Sequence, residues 1–94
     1  MENPNVITVD KERVPFLTFP TEDVFDKKQE RSRRCTSLFK AMRLGNLERH
    51  KVSILFKDDI GMKRVETTIW GVTNKRVILK KAINLPINRV VSVS

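Results

Sequence analysis

From Lys51 to Val93 apolar and polar residues alternate in short runs, and each run stops at a turn-forming residue. A period of two writes strands with one buried face, and runs this short and this closely spaced leave room for little but tight turns between them. Val52, Ile54 and Phe56 interleave with Ser53, Leu55 and Lys57 and predict a strand over 51–57. Asp58-Asp59-Ile60-Gly61 predicts a turn, with Gly61 able to adopt a positive φ. Lys63 to Val72 is long and β-branched, and Gly71 inside it predicts a bulge or a sharp bend. Thr73-Asn74-Lys75 turns the chain into a strand over 76–80. A further strand over 83–87 carries Pro86, which suits an edge or irregular pairing. Asn88-Arg89 predicts a single helical turn before a last strand, Val90 to Val93. Short strands around one strongly bent strand are what a small closed barrel needs. Val52, Ile54, Phe56, Val77, Leu79, Leu85 and Ile87 would fill its inside.

Leu55, Trp70 and Ile78 fall in the opposite phase, and an apolar outer face needs a cover. Residues 21–44 contain no Gly or Pro, and Thr21, followed by Glu22 and Asp23, reads as an N-cap and acidic first turn. Gly45 reads as the C′ residue. The expected helix therefore spans 21–45. Cys35, Leu38, Phe39 and Met42 form its apolar stripe and are the expected cover. Ahead of it, residues 1–20 hold Pro4, Pro15 and Pro20 and read as an extended arm, either docked through Phe16, Leu17 and Phe19 or disordered.

The reading is thus α+β: a 1–20 arm, then one domain over 21–94, with a helix over 21–45 packed on a strongly bent, four- to five-stranded antiparallel barrel over 50–94. With 94 residues and 39 % apolar content, below the usual level of about 45–50 %, one small core is all the chain can build. A helix, a bent barrel and the phrase Leu85-Pro86-Ile87-Asn88-Arg89-Val90 before the final strand resemble SH3-like and Sm-like small barrels over about residues 35–93. The resemblance is one of topology. An Asp-x-x-Met-Asn-like turn and an Arg-Gly pair before the last strand, which mark Sm proteins, are absent, so ring assembly and uridine binding do not carry over. Val65-Glu66-Thr67-Thr68-Ile69-Trp70 also resembles a phrase found in small bacterial proteins of unassigned function, which implies no activity.

The formal charge is +8, and it is unevenly spread. Residues 1–50 carry ten Lys and Arg against eight Asp and Glu, a net +2; residues 51–94 carry nine against three, a net +6. Residues 27–43 alone carry seven cations against Glu30. Such a balance favours a polyanionic partner, RNA or DNA, held by phosphate contacts. Arg31, Arg33, Arg34, Lys80 and Lys81 are the expected phosphate-binding residues. Trp70 can stack a base, although packing under the helix or the arm is favoured for a ring that size. The competing reading is a protein-interaction adaptor, or self-association, through the arm or an open strand edge.

Catalysis finds little support. His50 has no second ligand at metal-binding spacing, and Cys35 lies on the apolar stripe, where an inert buried thiol is expected. Asp58-Asp59 fits a turn, and Glu66 is the one other carboxylate in the barrel half. The three glycines stand far apart, so no phosphate loop is written. No enzyme activity, metal or cofactor is expected. With one cysteine, no apolar stretch of membrane-spanning length and no signal-peptide pattern, the expected compartment is the cytoplasm.

Overall fold

The computed structural model describes residues 6–48 and 50–94. The strands form two sheets. One has the order β1 (Ile7–Thr8), β3 (Met62–Thr67), β2 (Val52–Lys57), β7 (Val90–Val93); the other has the order β4 (Ile69–Val72), β5 (Arg76–Leu79), β6 (Ile83–Pro86). The expected long strand over 63–72 is two strands that share a corner at Thr68, and Thr68 O accepts a bond from Lys80 N at 3.0 Å. A register shift between Ile69 and Gly71 adds a bulge at Trp70, as glycine in that run had suggested. β7 returns to pair antiparallel with β2 after a 3-10 turn at Ile87–Arg89. The fold is α+β, with one helix and two sheets; among the described residues no strand ladder closes the sheets into a barrel. Nor is any helix among these residues long and apolar enough to cross a membrane.

The core fills from alternating positions. Val52, Ile54, Phe56, Val77, Leu79 and Leu85 are buried as the period-two reading requires, joined by Val65, Ile69 and Val90; Ile87 packs against them from the margin. The arm belongs to this core. Ile7–Thr8 adds to β3 as a parallel edge strand, and a 3-10 segment, Lys11–Phe16, carries Val14 into full burial. Leu17 and Phe19 pack beside it, and the Phe19 ring meets Phe56 at 5.9 Å between centroids. Phe16, an expected anchor, points outward and is 82 % exposed. The start of the expected arm, residues 1–5, lies outside the described residues.

The helix α1 spans Lys28–Glu48, not 21–45. Its start is displaced because tertiary bonds claim residues 21–25: Thr21 O and Glu22 O accept from Asn88 Nδ2, Glu22 O also accepts from Arg89, and Val24 N donates to Asn88 O. Gly45 does not end the helix. It is where α1 lies against the second sheet, and a Cβ there would meet Thr68 Cγ2 at 3.2 Å and His50 O at 3.4 Å. The packed face is Leu38, Ala41 and Gly45, flanked by Met42, and it lies against β4 and β7. Phe39 turns outward at 43 % exposure, and Cys35 is only partly buried. Gly61 does not use a positive φ either; the Asp58 carboxylate shapes that turn by accepting from Ile60 N at 3.0 Å and Gly61 N at 2.9 Å. Left-handed backbone occurs instead at Lys81 (φ 65°) and Ala82 (φ 61°), in the turn between β5 and β6.

Candidate nucleic-acid interface

The six residues singled out by charge and by aromaticity do not converge. Arg34 is buried, and its Nη1 and Nη2 each bond an oxygen of Asp23 at 2.8 Å. Nη1 also reaches Val90 O at 3.3 Å, and the guanidinium lies 5.2 Å from the centre of the Phe25 ring. It is a structural tie between α1 and β7, committed to protein groups. Arg33 is exposed on another flank of α1, beside a shallow pocket of about 280 Å³ shared with Glu30, Ser37 and β7. Lys80 and Lys81 occupy the left-handed turn after β5, where Lys81 Nζ lies 3.8 Å from Glu12. Trp70 is 52 % exposed, which corrects the favoured expectation that it packs away. Alternation is the reason: Val65, Thr67 and Ile69 face the core, so Trp70 stands on the opposite face, where it is left half exposed.

Of the six, Arg31 and the buried Arg34 line the larger concavity, a cleft of about 780 Å³ between the start of α1 and the β4–β5 turn, and of these two Arg31 is the exposed one. Lys75 and Arg76 line its other side, with Asn74 and Asn88. Local chemistry fixes this turn. Thr73 Oγ1 accepts from Arg76 N at 2.9 Å and Lys75 N at 3.3 Å, and Thr73 N donates to Arg76 O at 2.8 Å. Lys75 O accepts from Ile87 N at 3.1 Å, which ties the turn to the 3-10 segment after β6. The side chains of Lys75 and Arg76 are exposed.

The opposite wall is held by Asp23. Its carboxylate accepts from Phe25 N at 2.8 Å as well as from Arg34, and Arg31 Nε lies 3.5 Å away while donating to Phe25 O at 2.9 Å. The Arg34 bonds, followed by the Phe25 amide and the charge of Arg31, outweigh burial and hold the Asp23 carboxyl below its usual range. It is therefore an anion at neutral pH, matched by Arg34. Four cations line the cleft (Arg31, Arg34, Lys75 and Arg76) against one carboxylate, leaving a local +3. Phe19, Pro20, Pro86 and Ile87 supply apolar surface between the charged walls.

Lys75 and Arg76 were not among the expected site residues. In sequence they stand more than forty positions from Arg31, and only the packing of α1 beside the β4–β5 hairpin brings them together. The other end of that hairpin carries Trp70 on β4 and Lys80 just after β5, where Lys80 N donates to Thr68 O beside the Ile69–Leu79 pair. Among the described residues no group of three His, Cys, Asp or Glu side chains is placed to hold a metal ion. Compared with protein families, with curated proteins and with solved structures, the chain matches none.

Proposed function

We propose that this protein is a non-catalytic nucleic-acid-binding module that grips phosphates through Arg31, Lys75 and Arg76. The observation that carries the reading is the cleft, where three exposed cations face one another across about 780 Å³ and the one carboxylate is already matched by Arg34. A carboxylate so committed is poorly placed for acid–base work. Lys80, Lys81 and Trp70 sit farther along the same hairpin and would extend the contact for a longer strand. A kinship with SH3-like or Sm-like barrels would rest on the corner between β3 and β4 and the return of β7 to β2, in a fold whose two sheets no ladder closes among the described residues. The cytoplasm is the compartment that this reading implies.

Salt is the first test. Each phosphate contact to a single strand contributes a log–log slope of about −0.7, so three contacts lose about a hundredfold in affinity over a tenfold salt increase. Reversing Arg31, Lys75 and Arg76 to glutamate should abolish binding to every sequence alike, while reversing Lys80 and Lys81 should weaken only longer strands. Absence of binding at low salt would overturn the proposal. It would favour a protein-interaction adaptor instead, for which Phe16 and Ile60 speak. They are 82 % and 84 % exposed, on segments joined by the 2.9 Å bond from Asp59 N to Thr18 O.

A further inference from the structure

Resting on that reading, we infer that the cleft takes a single strand with a base turned inward, and discriminates against duplex. The charge is arranged for this. The Asp23 carboxylate in the cleft wall takes both terminal nitrogens of Arg34, so that stretch of wall has no net charge with which to hold a phosphate, whereas Arg31, Lys75 and Arg76 are exposed cations. A phosphate therefore settles against the exposed cations, and the wall at the Asp23–Arg34 pair is left to a neutral part of the ligand. Beside the polar Thr21, Asn74 and Asn88, the lining includes apolar surface from Phe19, Pro20, Pro86 and Ile87. A nucleobase is neutral, flat and readily desolvated, and the planes of Arg31 and Arg76 can stack on it.

A duplex offers the opposite surface. Its bases are stacked inside, so only phosphates reach the cleft and the apolar wall stays wet. The space fits the inference as well: about 780 Å³ lies within the range of small-ligand pockets, room for one or two nucleotides. Base readout is sparse. The Asn88 Nδ2 amino group is already committed to Thr21 O at 2.7 Å and Glu22 O at 3.4 Å, which leaves its Oδ1 and the Asn74 amide to meet a base edge. The strand is held with little preference for sequence.

The test uses the full chain and three labelled probes at low salt, a ten-nucleotide single strand, the same sequence as duplex and an abasic strand of equal charge, with inorganic phosphate as competitor. The single strand should bind at least about tenfold tighter than the duplex or the abasic strand, the effect of one stacked base. Phosphate should compete only at high concentration. Ile87→Thr should erase most of the preference, and Lys75→Ala should weaken all the polymers in proportion. The abasic comparison needs no variant, so it stands even if Ile87→Thr fails to fold. Equal affinity for all three polymers would overturn the base-in geometry and leave the phosphate reading intact. Binding of none would overturn both.

Discussion

Arg34 and Asp23 meet through two parallel 2.8 Å hydrogen bonds, one from each terminal guanidinium nitrogen, across the gap between α1 and the irregular segment before it. The pair does three things. It anchors residues 21–25 against the helix, neutralises the one carboxylate of the cleft, and removes Arg34 from the set of cations a ligand can use. Removing one partner of such a pair leaves the other charge uncompensated, which usually costs about 3–5 kcal/mol when the site is buried. Asp23→Ala should therefore lower the urea midpoint sharply, and Asp23→Ala with Arg34→Met should recover much of the loss. A single variant as stable as the parent would show that the pair contributes no net stability.

Acid should expose the same dependence together with a second carboxylate. Burial pushes the Asp58 carboxyl up, but the Gly61 amide, the Lys63 ammonium and the Ile60 amide together hold it below its usual range. Asp23 is held low as well. A carboxyl with a lowered folded-state pKa stabilises the fold fully above its unfolded value, about pH 3.9, and the contribution is lost as pH falls through the folded value. The denaturation midpoint should change little between pH 7 and 5 and fall below about pH 4. Asp58→Asn should flatten that fall. An acid limb of equal steepness in the variant would assign it to other groups.

The helix seat makes a contrast between two neighbours on one face. Leu38 is fully buried, so Leu38→Ala should cost about 2–5 kcal/mol, the usual range for emptying a core site. Gly45 has no such void, since even a Cβ would come within 3.2 Å of Thr68 Cγ2. Gly45→Val should cost about 1–3 kcal/mol through overpacking despite the better helix former. Both are read by chemical denaturation; a stabilised Gly45→Val would mean that α1 does not seat on the corner at Thr68.

Trp70 gives a direct optical check of which face of β4 is turned outward. Half exposed, it should emit like a partly hydrated indole and be quenched by iodide. A strand just long enough to fill the cleft should leave the emission unchanged, because Trp70 does not line it. A longer strand that reaches Lys80 should alter it. A blue-shifted emission untouched by iodide would place the ring in the core and remove Trp70 from the proposed contact.

What the sequence determined by itself is the periodic part of the protein. Alternation placed Val52, Ile54, Phe56, Val77, Leu79 and Leu85 inside, because a strand buries every second residue whatever its partners are. Local rules also found the turn at 58–61, the bulge beside Gly71 and the helical turn at the end of β6. Tertiary structure decided the rest, wherever a long-range bond outbid a local preference. Thr21 lost its capping role because Asn88 and Arg89 claim the carbonyls beside it. Gly45 stayed inside the helix at the close approach to Thr68, where a Cβ would sit tight at 3.2 Å, and Arg34 became an interior tie because Asp23 was folded against it. The cleft is the extreme case. Arg31 and the Lys75-Arg76 turn share no sequence pattern, and their charges add only because the helix is packed beside that hairpin.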